Sequence, residues 1–102
     1  MVLYERSHEA LADWEELVEY TLEEFGVDQT LKYTQELITC IEAMARGEGY
    51  FKEIDVKGRI IRVKHCGKHY IFGLVRENRP LIVIAFLHER MNLMARLKRR
   101  LG

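Results

Sequence analysis

An α+β fold is predicted by three observations on this chain. Two amphipathic helical patterns fill the first half, extended patterning takes over after Gly49, and seven consecutive apolar residues occupy positions 81–87. That run, Leu-Ile-Val-Ile-Ala-Phe-Leu, is too short and too β-branched for a helix and reads as a strand buried on both faces. It is also far short of the ~20 apolar residues that span a bilayer, so no membrane partner is expected. The architecture these segments imply is an N-terminal helical hairpin packed on a twisted antiparallel sheet of three to four strands, with a short C-terminal helix. A chain of 102 residues makes one domain, 1–102, with a single sizeable core.

Taken in order, Val2-Leu3-Tyr4 is a short β-prone stretch suited to a sheet edge. Ser7 is the expected N-cap of the first helix, with Glu9 in its first turn where the helix end favours an anion. Leu11, Trp14, Leu17, Val18, Leu22 and Phe25 recur at helical spacing, while Asp13, Glu15, Glu16, Glu19, Glu23 and Glu24 occupy the opposite face. Gly26 stops this helix. Asp28 is the expected cap of a second helix, whose stripe is Leu31, Thr34, Leu37, Ile38, Ile41, Met44 and Ala45. So short a connection folds the two helices back on each other.

Gly47 and Gly49 end the second helix, and residues 50–54 are ambiguous between loop and strand. Residues 60–64 begin to alternate, Cys66-Gly67-Lys68 reads as a turn, and 69–75 form a second strand. Residues 76–80 connect to the apolar run, which Pro80 opens where a missing N–H costs least. Asn92 caps a last helix with Met94, Leu97 and Leu101 on one side and Arg96, Lys98, Arg99 and Arg100 elsewhere.

The formal net charge of zero hides a division. Residues 1–50 hold 3 Lys/Arg against 12 Asp/Glu, and residues 51–102 hold 13 against 4. The halves attract each other in the fold, and the basic half also suits an acidic partner, protein or nucleic acid. The opening Met-Val-Leu-Tyr-Glu-Arg lacks the basic and apolar regions of a signal peptide. Cys40 and Cys66 form no disulfide framework or metal motif, so two reduced, packed thiols in a cytoplasmic protein are expected.

No Walker loop, dinucleotide fingerprint, His-Glu-x-x-His or Cys-x-x-Cys pair is present, and neither cofactor nor metal is expected. What remains is a basic and aromatic set: Arg59, Arg62, Lys64, His65, Lys68, His69, Tyr70, His88 and Arg90. Alternate residues on neighbouring strands share a face, so several of these can converge. They then either bind phosphates, with a histidine able to act as acid or base on RNA, or form an ordinary solvated sheet face. His88, ending a buried strand, reads first as a hydrogen-bonded structural residue; Met91 reads as core and Asn92 as a cap.

Four segments resemble ParE-type toxins of the RelE/ParE superfamily, the toxic halves of bacterial type II toxin–antitoxin pairs. Ala10-x-x-Asp13-Trp14-x-x-Leu17-x-x-Tyr20-Thr21-x-x-x-Phe25-Gly26 is similar to the family's first helix. Tyr33-x-x-x-Leu37-x-x-x-Ile41-x-x-Met44-Ala45 is similar to its second. Arg62 followed by His69-Tyr70-Ile71-Phe72 resembles the family's Arg…His-x-(Ile/Val)-Phe strand. Leu87-His88-Glu89-Arg90-Met91-Asn92 resembles the Leu-His-x-Arg-Met-Asp ending. Departures are Asn92 for Asp, Gly73 where an aromatic normally follows Phe72, and a Gly47-Glu48-Gly49 connection in place of a longer Pro-containing one.

The resemblance implies a RelE/ParE-like fold in which His69, Phe72, His88, Met91 and Asn92 are structural. It implies a ParD-like antitoxin that wraps the toxin and alone contacts operator DNA, and a free toxin that poisons DNA gyrase without being an enzyme. The expected target- or antitoxin-facing residues are Arg90, Arg96, Lys98, Arg99 and Arg100. Removing everything after Asn92 is then expected to abolish toxicity and leave the fold intact. Two alternatives stay open: a RelE-like ribosome-dependent mRNA endonuclease, using Arg62, Lys64, His69 and Arg90, and a non-toxic antitoxin-binding co-repressor. The neutral net charge and the absence of Tyr or His after Asn92 favour gyrase inhibition over the nuclease.

Overall fold

A computed structural model describes residues 2–102. The elements in chain order are β1 (Tyr4–Arg6), α1 (His8–Arg46), β2 (Lys52–Val56), β3 (Arg59–Cys66), β4 (His69–Leu74), β5 (Leu81–His88) and α2 (Leu93–Arg100). The sheet has five strands instead of three to four, in the order β1-β5-β4-β3-β2. The β-prone stretch at 2–4 joins it only through Tyr4, the first residue of β1, and the ambiguous 50–54 joins it from Lys52 onward in β2. It is mixed, because β1 lies parallel to β5 with Tyr4 opposite Leu81, while β2 to β5 pair antiparallel in succession.

Helix α1 starts as the sequence predicts, the Ser7 hydroxyl accepting from the Ala10 amide at 3.0 Å. A straight helix of its 39 residues would be roughly 58 Å long, yet the longest dimension of the molecule is 40 Å. The chain folds back at Gly26, the one residue inside α1 with non-helical backbone (φ 84°, ψ 178°). Left-handed φ is cheap for glycine alone, so a single residue does the work of a loop. Asp28 is therefore not the cap expected of it. Helical geometry resumes immediately after Gly26, whose carbonyl accepts from Thr30 Oγ1 at 2.7 Å.

Both arms of the hairpin pack on one face of the sheet. Ala10 and Leu17 from the first arm and Leu37, Ile41 and Met44 from the second meet Ile71, Val83 and Phe86 in one core cluster. The expected stripe is only partly buried: Leu11, Leu22, Phe25 and Leu31 are exposed, Phe25 at 61% and Leu31 at 64%. Residues 22–29 are solvent-exposed throughout, so the hairpin tip has no sheet beneath it.

The opposite face is covered by α2, where fully buried Leu97 and nearly buried Leu101 join Ile61, Phe72, Ile84 and Leu87 in a second cluster. Removing α2 would open this cluster to water, so truncation after Asn92 is expected to cost the fold rather than leave it intact. Asn92 caps α2 as predicted, accepting from the Ala95 amide at 3.3 Å.

Strand β5 serves both clusters, and it does so through an irregularity. Phe72 pairs with Ala85 but Gly73 pairs with Val83, which leaves Ile84 as an extra residue. Ile84 and Ala85 both face α2, whereas Val83 and Phe86 face α1. At Gly73 a side chain would strike Leu81, whose Cγ lies 2.9 Å from the position of a Cβ. Leu81 fills the space that an aromatic residue at 73 would need.

Cys40 and Cys66 are not free thiols: they form a disulfide joining α1 to β3 across 26 residues, with Cα atoms 6.8 Å apart. Cys66 points to the helical side of the sheet, and the second arm of α1 brings Cys40 over it. Sequence spacing alone cannot show this proximity, because it exists only after the hairpin docks.

Candidate functional site: a histidine cleft and a basic helix

The β3–β4 turn, the end of β5 and the hairpin tip enclose a cleft of about 570 Å³. His69 and His88 are opposite each other across β4 and β5, with rings edge to face at 5.3 Å. The Lys68 amide donates to the Tyr33 oxygen at 3.0 Å, and Tyr33 lies 2.6 Å from His69 Nδ1. The Lys68 amide occupies one lone pair of the Tyr33 oxygen and leaves the hydroxyl proton available to Nδ1; in that arrangement the neutral His69 ring carries its own proton on Nε2. Burial, reinforced by His88, lowers the pKa of His69 to about 4, so the ring is neutral at pH 7. Burial also pushes the Tyr33 hydroxyl above its usual range.

Gly67 makes this contact possible. It sits in the turn with φ 61°, and a Cβ there would fall 2.9 Å from the Tyr33 hydroxyl. The turn after β5 is tied in as well. The Arg90 amide donates to His88 Nδ1 at 3.1 Å and the Glu89 amide to the Lys68 carbonyl at 2.9 Å. The Glu89 carboxylate meets His65 Nε2 at 2.9 Å, and the His65 ring stacks on Tyr70 at 4.4 Å. His88 thus accepts a hydrogen bond at the strand end and lines the cleft at the same time.

Arg62 and Lys64 stand elsewhere. Arg62 donates to the Met44 carbonyl at 2.7 Å and to Glu53 at 3.1 Å, with its guanidinium over the Phe51 ring. Lys64 Nζ donates to the Tyr50 carbonyl at 2.6 Å. Both hold the end of α1 and the chain leading to β2. Neither joins His69 or Arg90, which line the cleft without them.

On α2, Arg96, Lys98 and Arg99 are exposed and form no ion pair among the described residues. Arg100 turns the other way. Its guanidinium grips both oxygens of Asp13 at 2.8 Å and donates to the Ile84 carbonyl at 2.8 Å, with Glu9 3.3 Å away. Asp13 in turn accepts from the Phe86 amide at 3.0 Å. β1 covers only the first residues of β5, so this pair satisfies the backbone groups beyond it. The hydrogen bond to Asp13, the dominant cause, raises the Arg100 pKa.

Among the described residues, no three His, Cys, Asp or Glu side chains stand together as metal ligands, and no helix is long and apolar enough to cross a membrane.

A family model described as "ParE toxin of type II toxin-antitoxin system, parDE" matches residues 4–93. Toxin ParE of Escherichia coli is 41% identical over 101 residues, covering 99% of this chain and 98% of the relative. The chain belongs to the ParE toxin family. As a ParE toxin it is half of a type II toxin–antitoxin system, and an antitoxin is its partner. The ParE match runs from β1 through the cleft and ends at the first residue of α2. Sequence reasoning named His69, His88, Lys68 and Arg90 in its basic and aromatic set, used Tyr33 only in the resemblance to the family's second helix, and placed Asp13 on the outer face. The signal for Asp13 was its spacing, since 10, 13 and 17 share a helical face and Ala10 and Leu17 are buried.

Proposed function

We propose that this toxin acts by binding, that its target is DNA gyrase in the cytoplasm, and that a ParD-like antitoxin, the only partner to contact operator DNA, neutralises it. The observation that carries the reading is the outer face of α2. Arg96, Lys98 and Arg99 stand exposed on a helix that contains no carboxylate, histidine or tyrosine, so the surface can bind an acidic partner but offers no acid–base group. Arg90, exposed in the turn between β5 and α2, adds a further cation for such a partner. The engagement of Arg62 and Lys64 with backbone carbonyls weighs against the nuclease alternative, which needs them free near His69.

The test is to induce the toxin and follow DNA and protein synthesis separately by label incorporation. An early stop in DNA synthesis with gyrase-linked double-strand breaks is expected. An early stop in translation with cleaved mRNA would move the function to the nuclease, and growth with neither stop would leave an antitoxin-binding co-repressor.

A further inference from the structure

The hydrogen bonds of the cleft define what it can hold. His88 Nδ1 accepts from the Arg90 amide, and His69 Nδ1 is paired with the Tyr33 hydroxyl. With Tyr33 as the donor to His69, both Nδ1 atoms accept, and on each ring an N–H stands at Nε2. Among the described residues neither Nε2 has a protein partner and no buried side-chain nitrogen or oxygen lacks one, so both Nε2 atoms are solvent-accessible on residues that line the cleft. Lys68 and Arg90 add an ammonium and a guanidinium with no carboxylate in ion-pair range among the described residues. The nearest carboxylate in sequence, Glu89, is engaged by His65. Two imidazole N–H groups and two cations therefore offer donors to whatever enters.

The walls are apolar. Tyr20 and Phe25 line the cleft and are 58% and 61% exposed, a large area for two aromatic rings with nothing against them. Their flanks are acidic: Glu19, Glu23 and Glu24 are all exposed on the same arm of α1. A chain of phosphates tracking along this rim would meet their repulsion at each step, whereas a single carboxylate at the floor meets only Glu89 and Asp13, which are engaged by His65 and Arg100.

We infer that the cleft is a peptide-carboxylate site, taking an aromatic or aliphatic side chain against Tyr20 and Phe25 and an adjacent carboxylate on Lys68, Arg90 and the two histidine Nε2–H groups. The volume of about 570 Å³ suits one large side chain with its neighbour. Charge-assisted bonds to the carboxylate set specificity, and the rings supply apolar contact. The inference rests on the proposed function only in giving Arg90 a protein partner, and it holds whichever macromolecule the toxin poisons.

The experiment titrates the full chain with the capped hexapeptide acetyl-Ala-Ala-Trp-Glu-Ala-Ala-amide and with its Gln counterpart, following histidine ring resonances by NMR. The Glu peptide is expected to shift His69 and His88 with a Kd in the ~mM range or tighter. The Gln peptide is expected to bind about tenfold more weakly, as are the variants Lys68→Gln and Arg90→Gln with the Glu peptide. Equal binding of the two peptides, no effect of either variant, or shifts confined to other residues would overturn the proposal. Tighter binding of a single-stranded RNA hexamer at the same resonances would overturn it too, in favour of a polyanion site. Because the readout is binding by the isolated toxin, its failure is distinct from a failure to arrest DNA synthesis.

Discussion

Asp13 ties three elements together, since one carboxylate serves α1, β5 and α2 at once. Removing it strands a guanidinium and the Phe86 amide in a half-buried place. Asp13→Ala should cost about 3 kcal/mol, as for other ion pairs broken from one side. Asp13→Asn keeps an acceptor for Phe86 and should cost less. Urea midpoints decide this, and an unchanged midpoint for Asp13→Ala would show that water replaces the carboxylate at no loss. His69 sets a pH dependence. Its folded pKa of about 4 lies below the ordinary 6.5, so between these values the unfolded chain binds more protons. Its contribution is complete above pH 6.5 and is lost as the pH falls toward 4. Tyr33, His88, Glu89 and Asp13 are the groups around it. His69→Gln should flatten that part of the urea-midpoint profile; a parallel profile would assign the fall to other groups. Neither residue's role could be read from its local pattern. Asp13 sits among glutamates in sequence, and the neutrality of His69 depends on a tyrosine 36 positions away.

The helix α2 has two functions on two faces, and substitution separates them. Leu97→Ala removes a fully buried side chain from the second cluster and should cost about 3 kcal/mol. Truncation after Asn92 should unfold the protein rather than yield a folded, harmless one. Changing Arg96, Lys98 and Arg99 together to Gln should move stability by no more than about 0.5 kcal/mol per site while relieving the arrest of DNA synthesis. Thermal melts and label incorporation on the same variants check both statements, and full toxicity of the triple variant would remove α2 from the target surface. Other elements show how far periodicity carries. Caps at Ser7 and Asn92, the turn at Gly67 and the buried character of β5 were legible, because each depends on neighbours in sequence. The alternation in β5 was not, since Ile84 adds one residue and Ile84 and Ala85 face the same way. The exposed Phe25 and Leu31 fit an apolar stripe perfectly well; only the reach of the sheet shows that nothing covers them.

Across the whole molecule, the disulfide joins elements 26 residues apart and should contribute about 3 kcal/mol by limiting the unfolded chain. Urea unfolding with and without dithiothreitol measures it, and coincident curves would show that the packed thiols hold the fold equally well. The two helices lie on opposite sides of one sheet, and they carry opposite charge. α1 has ten carboxylates and two Lys or Arg, whereas α2 has four Lys or Arg and no carboxylate. A molecule with zero net charge is thereby strongly dipolar. In the field of an acidic surface it turns before it touches, and α2 arrives first. Such steering acts on the rate of encounter and is screened within roughly 10 Å at 0.1 M salt. Raising the salt should slow association with an acidic target severalfold and leave dissociation nearly unchanged. The isoelectric balance that makes this chain look electrostatically bland removes the net pull of such a field and leaves its torque.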